Sequence, residues 1–178
     1  MKRIVLINGL ISGAIVCTVM AIGAAMYQSN PDFKYSQTIG FASMLLAFSL
    51  IYFGIRKYRN EVNGGSVTFG RGFLIGLYIA LIASSMYVIT WAFEYNFLFP
   101  DFIEKYAAGV IDQLKAKGAS QMKIDAQIKE MDSYRVMYKN PVYFSLLTYM
   151  EILPGGIIIA LICAMILKKN APESGKEI

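Results

Sequence analysis

The sequence predicts an all-α integral membrane protein, a four-helix bundle with an extramembrane amphipathic helical hairpin between its third and fourth spanning helices. Of the 178 residues, 56% are hydrophobic and only 16% are charged, which is more apolar side chain than one soluble core of this length buries. Four runs almost free of charge are each long enough to cross about 30 Å of hydrocarbon at about 1.5 Å per residue. These runs predict spanning helices over residues 4–27, 38–55, 72–99 and 142–167.

The first predicted helix follows Lys2 and Arg3 and could alternatively be a secretory signal peptide, because small residues occur near its end. The apolar core of a signal peptide spans about 7 to 15 residues. This run is longer, and nothing after Tyr27 resembles the start of a soluble secreted domain, so we predict a membrane anchor. Gly9 and Gly13 leave one face of this helix without side chains, which allows a neighbouring helix to approach closely.

The second and third predicted helices are joined by a turn-rich link, NEVNGGSVTFGRG, at residues 60–72. Its glycines could indicate a phosphate-binding loop, but no soluble strand precedes them and no GK[ST] ending follows, so we expect no phosphate site. The third helix repeats the four-residue glycine spacing at Gly72 and Gly76. Two parallel repeats of a helical hairpin would explain this likeness to the first helix, as would the frequency of glycine pairs in membrane helices.

Residues 100–140 predict the outer helical hairpin as an insertion in a single membrane domain that covers residues 1–178. Apolar residues recur at helical spacing in both halves, Gly118 ends the first half, and Ser120 caps the second. The two apolar stripes consist of Ile103, Ala107, Val110 and Leu114, and of Ile124, Ile128, Met131 and Tyr138. The stripes could cover each other, the outer leaflet or a partner, and we expect them to cover each other. Asn140 and Pro141 then supply a cap and a first-turn proline for the fourth helix.

Lysine and arginine predict that both termini are cytoplasmic, because cationic residues near helix ends stay on that side during insertion. On the predicted cytoplasmic side lie Lys2, Arg3, Arg56, Lys57, Arg59, Arg71, Lys168, Lys169 and Lys176. The short first connection offers only Lys34 against Asp32. The net charge of +5 therefore reflects topology, and we expect no nucleic-acid partner, for which a basic stripe interleaved with aromatic residues would be typical.

Two carboxylates, Glu94 and Glu151, lie inside predicted spanning helices. A charged side chain near the bilayer centre costs about 2.5 to 3.5 kcal/mol, and the four apolar runs contain no Lys or Arg. We therefore expect both acids to face protein, with Tyr87 and Thr148 as polar neighbours. The expected inward stripes are Gly76, Ala80, Ala83, Tyr87, Trp91 and Glu94 on the third helix, and Ser145, Thr148, Glu151 and Gly155 on the fourth.

These intramembrane acids have two interpretations. They could be polar clamps between helices, or a proton or cation relay in a small transporter. Pro154 is expected to bend the fourth helix beside Glu151, and Gly155 and Gly156 allow another helix to come close. We favour the structural role.

The sequence offers little support for catalytic or metal chemistry. It contains no histidine, no nucleophile with a matched base and no metal-ligand spacing. Cys17 and Cys163 are expected at depths that differ by more than the roughly 7 Å limit for a disulfide, so we interpret both as packing residues. We predict a protein that is not an enzyme and that uses no cofactor and no metal.

Several segments resemble one known family. They are PDFIEKYAAGVIDQLKAKGAS at residues 100–120, YKNP at residues 138–141 and EILPGGIIIALICAMILKK at residues 151–169. They are similar to the bacterial membrane family catalogued as domain of unknown function 4199, and the likeness extends over most of the chain, including the early GLISG. The resemblance implies a multi-pass protein of the bacterial inner membrane.

The resemblance also singles out Glu151, Pro154 and Gly155, where the chain has Pro154-Gly155-Gly156 in place of the family's usual proline-aliphatic-glycine order. It implies no activity of its own. The association of such genes with glycosyltransferases acting on lipid-linked sugars suggests a helper that docks or positions such an enzyme. We therefore predict a non-catalytic accessory or scaffold subunit that works as a homo-oligomer or with a membrane protein partner. The alternative is a small proton-coupled transporter using Glu151 and Glu94.

Overall fold

The computed structural model describes residues 1–29 and 37–169 of the chain. The elements are α1 (Lys2–Ser29), α2 (Gln37–Lys57), a π-helical turn (Tyr58–Val62), α3 (Phe69–Phe97), α4 (Phe102–Ala116), α5 (Gln121–Lys139) and α6 (Pro141–Leu167). The predicted all-α class is confirmed. Asp32, Lys34 and Lys176, which contributed to the predicted topology, lie outside the described residues.

Four of the described helices are long and apolar enough to cross a membrane, which indicates a multi-pass membrane protein. They begin and end close to the predicted spans. The π-helical turn prolongs the second span to Val62, beyond the predicted end at residue 55. The largest difference among the α-helices is at α3, which begins at Phe69 instead of residue 72. Thr68 explains the earlier start, because its hydroxyl oxygen accepts the Arg71 N–H at 3.3 Å and its carbonyl accepts the Gly72 N–H at 2.9 Å.

Internal contacts divide the chain into two units, of which the first comprises residues 1–90 and the described part of 149–178. Within this unit α3 touches three other helices. It contacts Gly9 of α1 and Gly54 of α2, and α6 contacts Gly76 of α3 itself. A Cβ atom added at these three glycines would come within 2.8, 2.6 and 2.7 Å, respectively, of a side chain on the neighbouring helix. Such approaches require residues without side chains. Accordingly, half of the most apolar window of α3 is buried, against a third in each of the other spans.

The core of the first unit is mainly aliphatic and includes a buried polar contact between α1 and α2. Its largest fully buried side chains include Val16, Phe48, Ile51, Ile55, Ile75, Ile79 and Ile152. The hydroxyl of Ser12 is buried among them and donates to the Ala47 carbonyl at 2.7 Å. This bond satisfies a polar group that would otherwise be costly to bury.

The second unit, Trp91–Thr148, contains α4 and α5, which pack against each other. Ile103 and Ala107 of α4 and Ile124 and Met131 of α5 are buried, whereas Ile128 of the predicted stripe is 41% exposed. The turn between the two helices reverses at a glycine in the left-handed region, residue 118, with φ of 68°, as the sequence predicts.

Arg135 links the two helices of the second unit through their carboxylates. Its guanidinium contacts Glu104 of α4 at 2.7 Å and Asp132 of α5 at 2.5 Å. These hydrogen bonds raise the pKa of Arg135 above its ordinary value, so the guanidinium stays charged throughout the physiological range.

Aromatic rings form a second contact within this unit. Trp91 of α3 lies edge-on to Phe102 of α4, with ring centroids 4.8 Å apart. Tyr95 of α3 lies 5.4 Å from Tyr138 of α5 and 5.2 Å from Phe144 of α6. Such aromatic pairs stabilise a fold by more than the apolar area that they bury. The second unit includes the ends of α3 and α6 that carry these rings.

The predicted inward stripe of α6 is wrong at two of its four positions. Thr148 is buried and Ser145 is half-buried, but Glu151 and Gly155 are exposed. The predicted stripe of α3 is buried at every position except Trp91, which is half-buried. The reason for the difference lies in the way α6 packs on α3.

Candidate functional site

Small residues decide which face of α6 is buried. A Cβ atom added at Gly156 would come within 2.8 Å of Ala80 of α3 and 2.9 Å of Phe48 of α2. Five of the buried positions of α6 recur at four-residue spacing through this contact: Thr148, Ile152, Gly156, Ala160 and Ala164. Glu151 and Gly155 each precede a buried residue by one position, which is about 100° around a helix. They therefore lie beside the face that packs on α3, and not within it.

This neighbouring side of α6 is a continuous surface that we call the exposed α6 face: Glu151, Gly155, Ile158 and Ile162. All four residues are exposed, with Ile158 at 56% and Ile162 at 45%. A Cβ atom added at Gly155 would meet nothing within 4 Å. Of the two adjacent glycines, Gly156 thus packs inside the chain, whereas Gly155 lies open beside the carboxylate.

Glu151 is hydrogen-bonded within the described residues by a side chain of α3. The hydroxyl of Tyr87 on α3 donates to the Glu151 carboxylate, and Tyr87 itself is buried. The prediction placed these two residues in one polar site, and the structure brings them together. A carboxylate has about four acceptor sites, so this bond leaves Glu151 with capacity to accept further donors.

A second polar bond between α3 and α6 was not predicted. The Ser85 and Tyr149 hydroxyl oxygens lie 2.8 Å apart, and Ser85 also donates to the Leu81 carbonyl at 2.7 Å. A serine hydroxyl has one hydrogen, so Tyr149 is the donor to Ser85. Helical spacing gave no signal for this bond, because Ser85 and Tyr87 are two positions apart, as are Tyr149 and Glu151, and residues at that spacing do not share a helix face.

Glu94 and Thr148, the other two predicted polar residues, lie in the second unit. Glu94 is only 5% exposed. Thr148 is also buried and donates to the Phe144 carbonyl at 2.8 Å. This bond lies within one turn of α6, so the Thr148 hydroxyl hydrogen is already used locally.

The remaining predicted residues can be placed as well. α6 continues as an α-helix through Pro154, and Gly13 and Gly72 are contact positions, opposite Met86 and Ala164 respectively. The described residues contain no group of three or more His, Cys, Asp or Glu side chains that could hold a metal ion.

Both cysteines, Cys17 and Cys163, are free thiols. The Thr90 hydroxyl donates to the Cys17 sulfur at 3.0 Å, and Cys163 is buried on α6. These surroundings agree with the interpretation of both residues as packing positions.

Comparison with known proteins places the chain in a family. The model of the family described as "Protein of unknown function (DUF4199)" matches residues 7–169. The chain belongs to this family. The resemblance seen in the sequence is thereby confirmed, and the match covers all four spanning helices of this DUF4199 protein. Searches of curated proteins and of solved structures gave no match.

Proposed function

We propose that this DUF4199 protein is an accessory or scaffold subunit of a complex in the bacterial inner membrane, with no catalytic activity of its own. In this proposal its spanning helices form a four-helix bundle, residues 100–140 form an outer hairpin, and both termini are cytoplasmic. One observation carries the proposal: Glu151 lies on the exposed α6 face, in the middle of a helix suited to lipid.

The depth of Glu151 makes an uncovered position unfavourable. Glu151 follows Pro141, the first residue of α6, by ten positions, which is about 15 Å along a helix axis. A carboxylate near the bilayer centre costs about 2.5 to 3.5 kcal/mol when it faces hydrocarbon. The bond from Tyr87 offsets part of this cost. A neighbouring protein helix that supplies a further donor would offset the rest.

The chemistry of the exposed α6 face favours a different protein over a second copy as the neighbour. A second copy could offer no lysine or arginine at this depth, because the four apolar runs contain neither. A partner helix with a cation or a hydrogen-bond donor would complement Glu151, and Gly155 would let its backbone approach closely. A glycosyltransferase that acts on lipid-linked sugars is the candidate partner that the family resemblance offers.

Co-purification from native membranes tests the proposal. The tagged chain is expressed at its natural level and purified in mild detergent, and attached proteins are quantified by mass spectrometry. An interhelical hydrogen bond in a membrane is worth about 0.6 to 2 kcal/mol, so Glu151→Leu should reduce the retained partner by about 3- to 30-fold. Leu45→Ala, at a 64% exposed position on α2, is the control and should reduce nothing. Equal retention by both variants, or recovery of no protein but the chain itself, contradicts the proposal.

Proton-coupled transport is the second candidate function, favoured by the burial of a carboxylate, Glu94, in a helix suited to lipid. The two candidates respond differently to Glu151→Gln, which keeps hydrogen-bonding capacity but cannot carry a proton. A scaffold keeps its partner in this variant. A transporter loses proton-linked uptake into vesicles while its assembly stays intact.

A further inference from the structure

The basic ends of the spanning helices in the first unit are fixed to one another. The Arg59 guanidinium donates to the Leu167 carbonyl at the end of α6, at 3.3 Å. Val67 and Lys169 form a β-bridge in which each N–H donates to the other residue's carbonyl at 2.9 Å. The Arg71 guanidinium also lies 3.9 Å from the sulfur of Met1. Four chain segments therefore meet at this end.

We call this surface the basic end, and in the described part of the chain its positive charge exceeds its negative charge. Its cations are Lys2, Arg3, Arg56, Lys57, Arg59, Arg71, Lys168 and Lys169, of which all but the half-buried Arg59 are exposed. Among the described residues, Glu61 is the one acid at this end, and it lies 3.8 Å from Lys57 in an exposed pair. Seven cations are thus held on a defined backbone without an acidic partner in the described part of the chain.

We propose that the basic end binds the phosphate groups of anionic phospholipids in the leaflet that surrounds it, with Arg71, Lys168 and Lys169 at its centre. Gly72 and Ala164 touch, since a Cβ atom added at the glycine would lie 3.4 Å from that of the alanine. This contact brings the start of α3 to the end of α6. Arg71 immediately precedes Gly72, and Lys168 and Lys169 lie about one turn beyond Ala164. The proposal requires only that the helices span a membrane, and not that the protein is an accessory subunit.

The position of these cations favours lipid over a soluble anion. They lie at the ends of membrane-spanning helices, where phospholipid headgroups surround a protein on all sides. Clusters of four to eight Lys and Arg residues at such ends are typical of binding to anionic lipids. The β-bridge holds the Lys169 backbone in place, so less conformational freedom is lost when a lipid binds.

Native mass spectrometry of the full chain tests this proposal. The protein is extracted in detergent and offered phosphatidylglycerol or phosphatidylcholine with the same acyl chains, and the lipids retained by each protein are counted. We expect preferential retention of phosphatidylglycerol, which raised ionic strength should reduce. The triple variant Arg71→Gln, Lys168→Gln and Lys169→Gln should retain at least about tenfold less of it, since each cation near a charged leaflet contributes about fivefold.

A matched triple variant provides the control. Lys115, Lys117 and Lys123, exposed residues in and between α4 and α5, are changed to glutamine and should leave retention unchanged. Exchange of arginine for lysine at position 71, and of lysine for arginine at positions 168 and 169, keeps the charge and should preserve the retention of phosphatidylglycerol. A topology reporter at the N-terminus checks that each variant inserts into the membrane in the same direction.

Three results would overturn the proposal. The first is equal retention of the two lipids by the wild-type chain. The second is equal loss in the two triple variants. The third is displacement of phosphatidylglycerol by inorganic phosphate, which would identify the basic end as a site for a soluble anion.

Discussion

Replacing Gly156 with alanine tests the packing of α6, and the adjacent Gly155 supplies a matched control. A Cβ atom at Gly156 would lie 2.8 Å from that of Ala80 and 2.9 Å from the Phe48 ring, whereas one at Gly155 would meet nothing within 4 Å. Non-bonded carbon atoms pack at about 3.5 to 4.0 Å. Alanine at position 156 therefore requires a neighbouring helix to move by about 0.7 Å or more.

The expected magnitude combines two effects. Alanine in place of glycine inside a helix stabilises by about 0.5 to 1 kcal/mol, and this gain applies to both positions. Overpacking in a close-packed core costs about 1 to 3 kcal/mol, and this cost applies only to Gly156. Gly155→Ala should therefore raise the free energy of unfolding by up to about 1 kcal/mol relative to the wild type. The free energy of unfolding of Gly156→Ala should be about 1 to 3 kcal/mol lower than that of Gly155→Ala.

Reversible unfolding in mixed micelles measures the difference. The detergent-solubilised chain is titrated with sodium dodecyl sulfate, and loss of helix is followed by circular dichroism for the two variants and the wild type. Equal free energies of unfolding for the two variants, or a more stable Gly156→Ala, would refute the close contact between α3 and α6.

Two further predictions concern single bonds. Ser12→Ala removes the buried hydrogen bond to Ala47 and should lower the free energy of unfolding by about 0.6 kcal/mol, and by no more than about 1.7 kcal/mol. Thr18→Ala, on an exposed face of α1, is the control. An equal loss of stability in the two variants would contradict the prediction. The hydrogen bond from Lys105 lowers the pKa of Asp101 in the folded state. This bond therefore stabilises the fold fully at pH values above the Asp101 pKa of the unfolded chain, about 3.9. The stabilisation is lost as the pH falls through the lower pKa of the folded chain. Carboxyl titration by NMR should show the Asp101 pKa rising in Lys105→Met, and an unchanged value would contradict the assignment.

The spanning helices were predictable because their signals are local. A run without charge fixes the length of each span, and the side chain of Asn140 accepts the Val142 N–H at 2.9 Å, as expected of the cap before Pro141. The glycine at position 118 has the positive φ that the end of α4 requires. None of these features depends on which helices are neighbours.

The orientation of α6 was not predictable from polarity alone. The cost of a carboxylate in hydrocarbon predicts burial of Glu151, but Gly156 and Ala160 allow close approach of α3 and therefore set the buried face. Polarity and small size identified two different faces of the same helix. The basic end was visible as a charge pattern, yet the bond from Arg59 to Leu167 joins residues more than one hundred positions apart and has no local signal.

Photo-crosslinking in native membranes tests the central claim most directly, namely that another protein covers the exposed α6 face. A photoreactive amino acid is introduced at Ile158, one turn beyond Gly155, and in a separate variant at Leu45 of α2 as the control. After irradiation the adducts are identified by mass spectrometry. We predict one specific adduct with a different membrane protein from Ile158 and none from Leu45. Crosslinks to lipid alone from both positions would contradict the account.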